Sequence, residues 1–296
     1  MGEVIMRKLT MLGGAIGLIL AIPLAAAPMR HSAITDPPRD SAFPAHNQQL
    51  LIPSHESGMN ALLFVAAGKG PHHTVILTHG LPGNERNLDL AQAMRRAGWD
   101  VLTFTYRGVW GSPGDFSISN AMEDTQAALD FARSDAGAKL GIDTRHIVLA
   151  GHSMGGATVA MTAAHNKGLD GLILIDAWNI AGGTSKGAIS RDELIKGFDD
   201  FGNSGASADK IADEVVAKRS QWDLVAVAPR LANLPILTVT AKYGAAEENR
   251  PTTAALRKVN RRVTAIEMDT DHPFADHRIA LAQAVVGWLD RLPVRR

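Results

Sequence analysis

Apolar and polar residues alternate in blocks along this chain, and block length separates strands from helices. Short apolar runs at 49–52, 60–67, 74–78, 100–106, 147–150, 171–176, 235–240 and 263–268 predict strands. Between them, 85–98, 119–134, 154–168 and 275–289 predict helices, with Leu88, Ala91 and Met94 facing one way in the first and Ile279, Ala282, Val286 and Leu289 facing the core in the last. Asn84 stands where the first helix needs a cap. The first two runs flank Ser54-His-Glu-Ser-Gly58, a turn-rich spacer that suits an antiparallel pair. From Thr74 onward strand and helix alternate, which implies an α/β domain with a mostly parallel, doubly wound sheet covered on both faces. The alternation stops from Ala177 to about Arg230. There, Asp192–Lys218 predicts two short helices broken around Gly202-Asn-Ser-Gly205. An insertion at the carboxyl ends of strands is either a lid over a site or a surface excursion with no gating role.

The amino terminus has a different composition. Arg7 and Lys8 precede the apolar run Leu9–Leu24 and the small residues Ala25-Ala26-Ala27, the three regions of a secretory signal peptide. The run is short for a membrane span, but Pro28 is an awkward first mature residue, so 1–27 is either a cleaved signal or an N-terminal membrane tether. Both imply an exported protein, periplasmic or secreted. Pro28, Pro37, Pro38 and Pro44 mark 28–47 as an extended linker, which leaves 48–296 as the folded domain. With 296 residues, 46% of them hydrophobic, the chain is long enough for one large core. Formal net charge is zero and no basic stripe interleaves with aromatics, so nucleic acid is not an expected partner. The absence of cysteine excludes disulfides and thiol nucleophiles. No cofactor is implied. The adjacent His72 and His73 read as a polar turn without the further ligands a metal site needs. Nothing in the sequence sets an oligomeric state.

One stretch carries chemistry. In Gly151-His-Ser153-Met-Gly155, an apolar strand ends at the first glycine and a small-residue helix starts directly after the serine. Glycines at both flanks permit a strained turn that lifts the serine hydroxyl clear of the backbone. A second match, Gly183-Thr-Ser185-Lys-Gly187, has no strand leading in and no helix starting at its serine, so it reads as a flexible loop. A serine hydroxyl needs a partner base to become nucleophilic. His272 lies on the loop between the last predicted strand and the closing helix, at the same strand ends as Ser153, whereas His165 and His277 fall in or at helices.

The order His79-Gly80, Gly151-His-Ser153-Met-Gly155 and Asp271-His272, with Arg107-Gly-Val-Trp-Gly-Ser-Pro-Gly114 between, resembles the α/β-hydrolase family, and is most similar to its dienelactone-hydrolase-like and exported-esterase branches. The resemblance implies the α/β-hydrolase fold with a helical cap over 177–230, Ser153 as nucleophile and His272 as base. It places the oxyanion hole at the amides of Met154 and Leu81, since Pro82 has no N–H. It assigns His79 to orienting that loop and His152 to no chemistry. Family members usually carry the triad acid after the seventh strand, where this chain reads Ala241-Lys-Tyr-Gly244-Ala-Ala-Glu247-Glu-Asn-Arg-Pro251. Glu247 keeps the common spacing; Asp176, ending the preceding strand, and Glu248 are the alternatives. The function implied is hydrolysis of a small-molecule carboxylic ester through an acyl-enzyme. Tyr243, Trp110 and Trp178 either line an apolar acyl pocket or pack in the core. The competing reading is a non-catalytic hydrolase-fold binding or envelope interaction protein, favoured by the irregular acid turn and an uncleaved anchor.

Overall fold

The computed structural model describes residues 34–184, 187–199 and 206–293. The leader-like segment 1–27, Ser185 of the second serine motif and the Gly202–Gly205 break lie outside these residues. Eight strands form one sheet: β1 (His46–Ser54), β2 (Ser57–Val65), β3 (His72–Thr78), β4 (Asp100–Phe104), β5 (Ile142–His152), β6 (Gly171–Ile175), β7 (Ile236–Ala241) and β8 (Val263–Met268). Their spatial order is β1-β2-β4-β3-β5-β6-β7-β8. β1 pairs with β2, and β2 with β4, antiparallel; every pair from β4 to β8 is parallel.

Alternation along the strands builds two cores. Val75 and Leu77 of β3, Val148 and Ala150 of β5, and Leu237 and Val239 of β7 face helices α1 (Leu88–Arg96) and, later in the chain, the carboxyl-terminal helix Arg278–Leu289. Ile76, Ile147, Leu149, Leu172 and Ile236 face the opposite way, toward α2 (Ile118–Arg133) and α3 (Met154–His165). With both faces buried, the central strands read as continuous apolar runs rather than alternating ones. Two helices of the 177–230 segment, α4 (Arg191–Asp199) and α5 (Ala208–Lys218), bury Leu194, Phe198, Ile211, Ala212 and Val215 against this second core. The chain then adds α6 (Ala246–Val259), and the closing helix is α7.

Several boundaries and orientations depart from the sequence expectation. α1 starts at Leu88, capped by Asn87 in a left-handed conformation (φ 56°), because Glu85 Oε1 accepts the Asn87 N–H and holds the chain in a turn past Asn84. His72 and His73 open β3 instead of forming a turn. The face of α7 that enters the core carries Leu281, Val285, Val286, Trp288 and Leu289, so Ile279 is 62% exposed. Tyr243 and Trp110 are exposed as well. No helix among the described residues is long and apolar enough to cross a membrane.

Candidate active site

Ser153 sits between β5 and α3 with φ 56° and ψ −123°, a conformation that L-residues rarely adopt. Neighbouring elements hold it there. Its N–H donates to the Ile175 carbonyl at 3.0 Å, and its own carbonyl accepts from Gly156 at 2.9 Å and Trp178 at 2.9 Å. The two flanking glycines are steric requirements: a Cβ at Gly151 would lie 2.2 Å from the Gly155 carbonyl oxygen, and one at Gly155 2.6 Å from the Thr78 and His79 carbonyl oxygens. β5, β3 and α3 therefore converge only because these positions lack side chains.

His272 stands on the loop after β8. That loop is fixed from beneath by Phe274, which is fully buried among α1 and α7 residues, and from the side by backbone bonds from Lys242 to Met268 and Tyr243 to Thr270. His272 Nδ1 donates to Asp176 Oδ2 at 2.5 Å. That bond fixes the tautomer and leaves Nε2 as the basic nitrogen. Asp176 is fully buried at the end of β6, and its carboxylate also accepts from Ala241 N (2.9 Å), Ala245 N (2.9 Å) and Asn249 Nδ2 (3.3 Å). Glu247 does not reach this network. α6 begins at Ala246, so Glu247 lies on the exposed side of its first turn.

Asp176, and not the expected Glu247, is thus the acid that the structure brings to His272. An acidic residue ending an apolar strand next to the nucleophile strand is the signal that points to it. Glu248 occupies a third environment. It lines the cavity with one carboxyl oxygen buried and unpartnered, and burial, then the neighbouring Asp176 charge, pushes its pKa up to about 7.

Ser153 and His272 line one cavity of about 430 Å³, together with Leu81, Met154, Trp178, Phe198, Gly244, Ala245 and Glu248. Phe198 comes from α4 and meets Trp178 edge-to-face at 6.3 Å, so the 177–230 segment contributes directly to the wall. Met154 is the first residue of α3, before the intrahelical ladder begins, and neither its amide nor that of Leu81 has a protein acceptor among the described residues. The Leu81 loop is held by Trp110 Nε1, which donates to the Pro82 carbonyl at 2.8 Å. Tyr243 and Trp110 do not line this cavity; Trp178 does.

Two further histidines brace the site. His79 is buried and its ring Nδ1 donates to the Gly80 carbonyl at 2.6 Å; burial holds its pKa down at about 4. His152, the variable residue of the motif, donates from Nε2 to the His272 carbonyl at 3.0 Å, because a carbonyl can only accept. Burial, then the nearby His272, pushes the His152 pKa down to about 3. It therefore tethers the loop that carries His272, a contact that the sequence motif gives no means of reading.

A serine on a strained strand-to-helix turn and a carboxylate-bound histidine thus line one cavity at the carboxyl ends of a parallel sheet. The profile of the alpha/beta hydrolase family matches residues 75–291, and the chain belongs to that family. Among individual proteins, the chain is similar to the uncharacterized protein YfhR of Escherichia coli (strain K12), 30% identical over 101 residues, which span 32% of this chain and 34% of YfhR. Among solved structures it is similar to the thermophilic carboxylesterase EstE1 from a metagenomic library, with TM-score 0.65 and 20% identity over 89% of this chain and 92% of that one. The hyperthermophilic esterase of Pyrobaculum calidifontis gives TM-score 0.63 and 19% identity over 83% and 86% of the two chains. At these identities the structural likeness speaks to the fold.

Proposed function

We propose that this protein is a serine hydrolase acting on small carboxylic esters. The observation that carries the proposal is the bond from His272 Nδ1 to the buried Asp176 at one wall of the cavity that Ser153 also lines. In the reaction, Ser153 Oγ attacks the ester carbonyl carbon as His272 Nε2 takes its proton. The amides of Leu81 and Met154 receive the oxyanion. The C–O bond to the alcohol then breaks, and His272 returns the proton to the departing oxygen. Water, deprotonated by the same nitrogen, attacks the acyl-enzyme and releases the acid. Leu81, Met154, Trp178 and Phe198 make the cavity predominantly apolar, which favours an ester with hydrocarbon substituents over a charged peptide terminus. The irregular turn after β7, which favoured a non-catalytic protein, loses that weight because Asp176 supplies the carboxylate from β6.

A fluorophosphonate probe tests the proposal. Stoichiometric covalent labelling is expected, lost in Ser153→Ala and in heat-unfolded protein; folded wild-type protein that stays unlabelled would reject it. The leader-like composition of 1–27 supports export of the mature domain, which cell fractionation with amino-terminal sequencing checks.

A further inference from the structure

Away from Ser153, at the amino-terminal ends of the strands, β3 and β5 fall out of register. His72 pairs with Ile142 and Thr74 with Ile147, so the single residue His73 faces the excursion Asp143-Thr-Arg-His146. Such bulges re-aim side chains out of the regular pleat. Here the excursion turns Asp143 and His146 toward His73, and one donor atom from each of the three lies within 4.8 Å of the others. The His73 ring stacks on His146 with centroids 4.6 Å apart and meets Trp99 edge-on at 5.4 Å.

An independent contact singles out this cluster. The buried His146 donates from Nδ1 to Asp170 Oδ2 at 2.9 Å, which leaves its Nε2 lone pair free for a ligand. A carboxylate on the far nitrogen is the usual support of a metal-bound imidazole.

The geometry points to a divalent transition-metal site of the zinc class at His73, Asp143 and His146, with Asp170 as the positioning carboxylate. Two imidazoles and one carboxylate suit zinc(II), with water completing a tetrahedron. Binding draws the three donors inward, to about 2.0–2.2 Å from the ion. Because the ligands come from both sides of the register break, the metal acts as a clip between β3 and β5. It sits at the end of the sheet away from the hydrolytic site and takes no part in that chemistry.

The test uses the full chain stripped with a chelator and titrated with Zn²⁺ in a calorimeter, with thermal unfolding read in parallel. One equivalent is expected to bind, and at a hundredfold excess over Kd the Tm should rise by about 5 °C. His73→Gln and Asp143→Asn, both at partly exposed positions and so tolerable to the fold, should each remove that equivalent and the Tm gain. Asp170→Asn should weaken binding about 10- to 100-fold. Co²⁺ in place of Zn²⁺ should give visible d–d absorption that His73→Gln abolishes. Fluorophosphonate labelling of Ser153 should be the same with and without bound metal. Absence of binding, a Tm gain that survives both His73→Gln and Asp143→Asn, or zinc that blocks Ser153 labelling through His272 would each overturn the site.

Discussion

Asp176→Asn is the substitution that separates the acid found beside His272 from the one expected in the β7–α6 turn. Every polar contact of the wild-type carboxylate is with a donor: Oδ2 receives His272 Nδ1 and Ala245 N, and Oδ1 receives Ala241 N and Asn249 Nδ2. An asparagine must put its NH₂ at one of those two places. At the Oδ2 place it faces His272, which must then present a bare Nδ1 and carry its proton on Nε2, so the nitrogen meant to accept the serine proton is occupied. At the Oδ1 place the tautomer survives, but the Ala241 N–H faces an NH₂ and no charge balances the imidazolium that forms during attack. Both orientations leave one buried backbone donor unmet, a stability cost of about 1–3 kcal/mol.

Loss of the correct tautomer in a serine triad lowers kcat by about 10⁴. Survival of the tautomer with loss of the charge should cost less, so the expected fall in kcat/KM is about 10³- to 10⁴-fold, or about 4–5.5 kcal/mol of barrier. Glu247→Gln, at an exposed position, should stay within about twofold of wild type. Both variants are assayed by the second-order rate of fluorophosphonate labelling and by hydrolysis of a p-nitrophenyl ester, with near-UV circular dichroism confirming the fold. A folded Asp176→Asn protein within tenfold of wild type, or a thousandfold loss in Glu247→Gln, would refute the assignment.

Two further substitutions test the energetics of the site. Glu248 has its pKa raised from 4.5 to about 7, so its contribution to stability is intact below about pH 4.5 and is lost as pH climbs through 7, a change on the order of 3 kcal/mol. Glu248→Gln carries no such loss, so its Tm advantage over wild type should grow between pH 5 and pH 8; parallel Tm–pH curves would contradict the buried carboxyl. Ser153→Gly removes the Cβ from a residue held at φ 56° and should stabilise the inactive protein by about 1–2 kcal/mol, whereas Ser153→Ala, which keeps the Cβ, should not. Equal denaturation midpoints for the two variants would show that the turn stores no backbone strain.

What the sequence made legible was local, and what it concealed was decided by chain far away. The nucleophile turn is readable because Gly151, Ser153 and Gly155 are consecutive with the strand and helix that need them. His272 is readable because it follows the last strand of a fold whose strand ends gather at one rim. The acid is less legible: the position of Asp176 at the end of an apolar strand is a signal, but Asp176, Glu247 and Glu248 are chemically near-equivalent letters and all three lie near the same strand ends. Surroundings sort them. Asp176 meets two backbone N–H groups, an amide and an imidazole, all contributed by residues at least 65 positions later in the chain. Glu248 is half-buried without a partner for one oxygen, and Glu247 points to water. Turn spacing favoured Glu247 because it measures distance along the chain, while the triad needs a donor-lined position, which Asp176 at the end of β6 occupies beside Ala241 and Ala245. The register break that aims Asp143 and His146 at His73 was hidden for the same reason: a bulge is a property of two paired strands, and neither strand's sequence contains it.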